Sequence, residues 1–311
     1  MEFIFYRYNH AFYVLKPDAI RDDYREIKDL GGDAVGFAAT IEDVGAVPRS
    51  ILKHIELMRE TGLRPYFTFG RWGGLFAAAA VNTSSRRTFQ HRDWWKRDPE
   101  GNPPGALVCC VNNPGFREYF FEVAERAFAK FRPDGLIMDE PKDSNWPCYC
   151  PHCRKLGDPA EIHIPTLAKF LGEVCTLFKR TVPGGATYLF HMPWQEPSFY
   201  EATAREADLD YLGVDGPTCR QVKENGADIG KKPLLESIEV IYPVAERFGK
   251  KKLVLPENFD VPAGEEENYY RNARKVLQTR PDAVIFHHYG FENEDPDLIM
   301  KHIARLIGEF K

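Results

Sequence analysis

Eight short apolar runs recur along this chain, and most are separated by a longer segment with helical periodicity. No other property of the sequence narrows the fold as far. The runs are Phe3–Tyr8, Ala34–Ala39, Arg64–Phe69, Gly135–Asp139, Thr187–His191, Tyr211–Val214, Leu253–Pro256 and Ala283–His288. Between them, Asp18–Leu30 places Ile20, Tyr24 and Ile27 at three-to-four spacing and stops at Gly31-Gly32, a helix C-terminal signal. Pro48–Thr61 carries Ile51, Ile55 and Met58 on one face, and Pro114–Phe131, Ile164–Thr181, Pro233–Phe248, Glu265–Thr279 and Pro296–Phe310 repeat the pattern. Strands alternating with helices predict right-handed βαβ units and a parallel sheet. Eight such units in 311 residues predict an α/β protein with a (β/α)8 TIM barrel, read as one catalytic domain over residues 1–311. An open doubly wound sheet would carry a Gly-x-Gly-x-x-Gly turn after its first strand; neither that turn nor a P-loop occurs.

Composition removes several classes of function. A formal charge of −5 gives no basic footprint for nucleic acid. The longest apolar stretch, near Gly73–Val81, is far below the roughly 20 residues of a membrane span. Arg7 interrupts the apolar start and no cleavage pattern follows, which predicts no signal peptide and a cytoplasmic protein. The expected partner is a carbohydrate substrate, with no nucleic acid or membrane, and formation of a homo-oligomer is left open.

Polar residues cluster after almost every run: Tyr8-Asn9-His10, Thr40, Arg71-Trp72, Asp139-Glu140, His191, Asp215, Glu257-Asn258 and His287-His288-Tyr289. Any one of them reads equally well as an ordinary loop residue. A barrel puts all of them on its C-terminal rim, where active sites of this fold lie. Glu140 follows the fourth strand and Glu257 the seventh, positions that face each other across a barrel mouth. Glycoside cleavage needs such a pair, one carboxylic acid for the leaving oxygen and one carboxylate to attack or to activate water. Surface charges or ion-paired rim residues are the plainer alternative. Neighbouring strand residues point to opposite faces, so Asp139 and Glu140 are expected not to share a role. Asp139 with Asp215 forms a rival catalytic pair.

Cys148-Tyr149-Cys150-Pro151-His152-Cys153 places three thiols within six residues, with Cys109-Cys110 upstream. This spacing predicts a tetrahedral structural zinc site rather than disulfides; buried free thiols are the alternative. The run from Cys110 to Arg117, then Glu140, then Cys148, Cys150 and Cys153 resembles the family 42 β-galactosidases, members of the large clan of retaining (β/α)8 glycosidases. The close match covers only about residues 108–154. The resemblance implies zinc on Cys110, Cys148, Cys150 and Cys153, with Glu140 as acid/base and Glu257 as nucleophile. It departs from that pattern at Asp139, where the clan has Asn, and at His287-His288-Tyr289, where a Trp is usual. The family's additional domains have no room in 311 residues.

Arg71, Asp139, His191, Trp194, Asp215, His287 and His288 complete the expected substrate contacts. Trp72, Trp94, Trp95, Trp146 and Trp194 all fall in expected rim loops, where they suit sugar stacking or serve as apolar plugs. The sequence thus predicts a glycoside hydrolase of retaining type, in which a second Glu attacks carbon. A barrel that binds carbohydrate without cleaving it is the competing expectation.

Overall fold

The computed structural model describes residues 1–7, 16–78, 86–103, 107–142, 146–219, 232–290 and 292–311. Eight parallel strands close a barrel in sequential order. They are β1 (Glu2–Tyr6), β2 (Ala34–Ala39), β3 (Arg64–Phe69), β4 (Gly135–Asp139), β5 (Ala186–His191), β6 (Tyr211–Pro217), β7 (Lys251–Glu257) and β8 (Ala283–His287). The predicted fold is therefore the observed one. Closure is made by β1 on β8, registered from Glu2↔Ala283 to Tyr6↔His287.

The helices are α1 (Pro17–Asp29), α2 (Ile41–Ala46), α3 (Pro48–Glu60), α4 (Arg86–Gln90), α5 (Pro114–Phe131) and α6 (Pro151–Leu156), followed by α7 (Pro159–Thr181), α8 (Pro197–Ala204), α9 (Leu234–Arg247), α10 (Glu266–Gln278) and α11 (Pro296–Phe310). Two local details have plain causes. Thr40, which directly follows β2, caps α2: Asp43 N–H donates to its Oγ1, and its own N–H donates to Asp43 Oδ2. Helix α7 starts at Pro159, five residues earlier than expected, because Asp158 caps it and Pro165 is carried inside. No helix among the described residues is long and apolar enough to cross a membrane.

Strand side chains alternate between two cores. Phe3, Phe5, Phe37, Phe67 and Leu189 point outward into the layer beneath the helices. Ile4, Tyr6, Tyr66, Ile137, Tyr188, Phe190, Leu255 and Ile285 fill the barrel interior. Tyr6 fits because β2 presents Gly36 beside it, where a Cβ would lie 2.5 Å from the ring. At the N-terminal end, the Glu2 carboxylate accepts from Arg64 Nη2 at 2.8 Å and from the hydroxyls of Tyr66 and Tyr188. That cluster plugs the lower end and leaves the C-terminal end for the site.

Candidate active site

Counting alternation upward from the inner core assigns the top of each strand. Asp139 follows inward Ile137 by two, and Glu257 and His287 follow inward Leu255 and Ile285 by two. Asp215 lies four residues beyond inward Tyr211. All four therefore face the mouth. Asp139 is 3% exposed, Asp215 5% and Glu257 2%. Asp215 and Glu257 are strand residues, because β6 and β7 run three and one residues past their expected ends.

Glu140 breaks the alternation. Its φ of +42° lies in the left-handed region. Its N–H donates to Phe190 C=O at 3.1 Å, while its carboxylate pairs with Lys142 and its charge acts on Asp215. Asp139 and Glu140 thus serve the same mouth, contrary to the expectation of opposite faces. The left-handed turn is the physical reason, since a regular extended residue there would send the carboxylate toward the helices.

The mouth is electrostatically uneven. Burial, then the charges of Glu140 and Glu257, push the Asp215 carboxyl well above the usual carboxylate range. Burial and the Asp139 charge keep the Tyr6 phenol neutral, well above its ordinary value. Burial holds the His287 imidazole down to about 3, against a weaker opposing pull from Glu140. His287 packs edge-on to Tyr6 and Phe259 at ring distances of 5.4 and 4.9 Å.

Other expected site residues lie elsewhere. His191 shares the outward face with Leu189 and is fully buried, with Nδ1 bonded to Gln195 at 2.8 Å and Nε2 to Thr203 at 2.9 Å. Burial lowers it to about 3, so it is a neutral strut between β5 and α8. His288 packs on outward Phe5 and lies 3.5 Å from Glu26 of α1. Arg71 adopts a left-handed turn after β3, its N–H donating to Phe69 and Ala77 carbonyls. Trp194 is 52% exposed after β5 and available to a ligand face. Trp72 is instead a buried plug bonded to Ala39 C=O, Trp94 stacks on His91, and Trp95 bonds Thr88 C=O. Asn9 and His10 lie outside the described residues. Sequence reasoning missed Tyr6 and Lys142; the only available signal was Lys142 standing two residues after Glu140.

Cys110, Cys148, Cys150 and Cys153 are buried and their sulfurs all lie within 4.8 Å of one another. All are free thiols. Cys110 Sγ is 3.4 Å from Cys153 Sγ and 3.7 Å from Cys150 Sγ. A tetrahedral zinc with bonds of ~2.3 Å sets its sulfurs about 3.8 Å apart, so the donor set fits that ion. Two N–H groups already point at sulfur, Arg97 N–H at Cys148 and Asn112 Nδ2 at Cys153. Such donors stabilise thiolate character. Cys109 stays out of the cluster; it packs in the outer core and bridges to Trp95 through its backbone.

No protein-family model matches this chain, and no curated protein does. Solved structures do resemble it. A β-amylase catalytic domain from Paenibacillus polymyxa matches with TM-score 0.69 at 10% identity, covering 100% of this chain and 98% of that one. A β-galactosidase from the Antarctic haloarchaeon Halorubrum lacusprofundi gives 0.67 at 15%, covering 100% of this chain. One from Marinomonas ef1 gives 0.72 at 8%, covering 99%. This chain spans 58% and 59% of those two β-galactosidases. At such identities the likeness shows a shared barrel fold.

Proposed function

We propose that the chain is a glycoside hydrolase of retaining type, residues 1–311 acting as one catalytic unit on a small glycoside or an oligosaccharide end. One observation carries the reading: carboxyl groups from β4, β6 and β7 converge at the C-terminal end of the barrel. The fold neighbours, named β-amylase and β-galactosidase, support it. Glu140 protonates the departing oxygen, Glu257 attacks the anomeric carbon, and Glu140 then deprotonates water. Neutral His287 and Tyr6 offer hydrogen bonds to sugar hydroxyls, and exposed Trp194 a stacking face. A zinc ion on the four cysteines would act structurally, pinning the segment that follows Glu140, with Cys148 eight residues beyond it. We place the protein in the cytoplasm on the free state of its described cysteines.

The test is a panel of aryl glycosides turned over by the native protein, Glu140→Gln and Glu257→Ala. Turnover by the native protein that Glu257→Ala abolishes supports the roles given. Full rate in Glu257→Ala with loss in Asp139→Ala transfers catalysis to the Asp139–Asp215 pair, which the buried, proton-holding Asp215 favours. Calorimetric sugar binding with no turnover of any glycoside would leave a carbohydrate-binding barrel.

A further inference from the structure

The mouth holds more carboxyl groups than glycoside cleavage requires, and Asp215 is the one left without a task. It stands at the inward end of β6, 5% exposed, close enough to Glu140 for the Glu140 charge to raise it. Its Oδ1 is buried with no hydrogen-bond partner among the described residues. Glu140 is meanwhile paired with Lys142, which favours its ionised form, although its proposed task is to give a proton. Two adjacent carboxyls with one ionised member hold a shared proton while the Glu257 charge beside them makes a second ionisation costly.

We propose, resting on the glycosidase reading, that Asp215 is the positioning residue of the catalytic proton: Glu140 and Asp215 hold one proton between them, and Asp215 supplies it to the departing oxygen through Glu140. The charges and protons balance. As the glycosidic C–O bond breaks, the one shared proton passes from Asp215 through Glu140 to the departing oxygen, leaving both carboxylates ionised beside Lys142. In the same step the Glu257 carboxylate bonds the anomeric carbon and becomes a neutral ester. One carboxylate is lost and one is made, so the cleft keeps its total charge. When water attacks and the ester C–O bond breaks, the water proton returns through Glu140 to Asp215, and Glu257 regains its charge. The arrangement is self-timing, because the Glu257 charge that holds the proton on Asp215 disappears as the proton is needed.

The groups facing Asp215 are consistent with this. Tyr6 of β1 and Tyr200 of α8 are neutral phenols raised by burial. Asp139, Glu140 and Glu257 are acidic, and Lys142 is the cation that opposes them. Neutral His287 lies on the Glu140 side.

Asp215→Asn keeps shape and a donor but cannot release a proton. Infrared difference spectra of the native protein against Asp215→Asn at neutral pH should show a protonated-carboxyl carbonyl band that the variant lacks. Kinetically, the variant should lose about 10²-fold in kcat with KM little changed, and one limb of its pH profile should move; Asp215→Glu should recover part of the rate. Asp215→Glu also serves the infrared comparison if Asp215→Asn does not fold. No band difference, or an unmoved pH profile in an active enzyme, overturns the proposal. If the native protein cleaves no glycoside, the glycosidase reading falls alone, and the infrared comparison still decides whether Asp215 carries the proton.

Discussion

The side chain of Asn258 closes both hydrogen bonds of the His287 backbone. Its Oδ1 accepts from His287 N–H at 2.7 Å and its Nδ2 donates to His287 C=O at 2.8 Å. The β7–β8 ladder is registered only at Leu253↔Ala283 and Val254↔Val284, whereas β6–β7 is registered from Tyr211↔Lys251 to Pro217↔Glu257. Asn258 therefore takes over where the backbone pairing ends, and it sets the height of His287 beside Glu257. Asn258→Ala should cost about 2–3 kcal/mol, two hydrogen bonds lost from a fully buried position. Urea unfolding measures this; an unchanged midpoint would remove the strut from the account.

Asp215 should tax stability in a pH-dependent way. A carboxyl whose folded pKa is raised above its unfolded value of about 3.9 leaves the unfolded chain binding fewer protons, so stability falls as pH rises. Asp215→Asn should therefore melt higher than the native protein at pH 7–8, with the gap closing below about pH 4. Melting curves across that range check it, and a gap independent of pH would contradict it.

Purified protein should carry about one zinc per chain, removable by a strong chelator. Cys148→Ser should lower zinc content and reduce stability by about 3 kcal/mol, a shift of ~5 °C in melting temperature for a chain of this size. Metal analysis far below one equivalent would leave the four cysteines as buried thiols.

Trp194→Ala tests the stacking face. The side chain is half exposed, so its removal should leave melting unchanged while raising KM or sugar Kd about 5-fold, the worth of about 1 kcal/mol. Unaltered affinity would place Trp194 outside the sugar subsites.

The barrel was legible because its strands carry apolar residues on both faces, the mark of a sheet buried twice. Helices α2 and α8 were not, being too short to show a 3.6-residue period. The carboxyl positions were legible for Asp215 and Glu257, since both continue the inward count of their strands. Glu140 was found by its place after β4, yet its direction was hidden in a single positive φ that no periodicity encodes. His191 and His288 looked like rim residues because their neighbours are; the outward count from Leu189 and from Phe286 places both beneath the helices. Tyr6 was concealed inside an apolar run, where nothing marks the phenol that faces Asp139 and Asp215.

The Glu2 cluster beneath the barrel has a consequence for traffic. With Arg64, Tyr66 and Tyr188 closed over that carboxylate and the inner core packed above it, the barrel is sealed from below. On the glycosidase reading, substrate arrives and products depart by the C-terminal end alone, so each departing fragment competes with the next arrival.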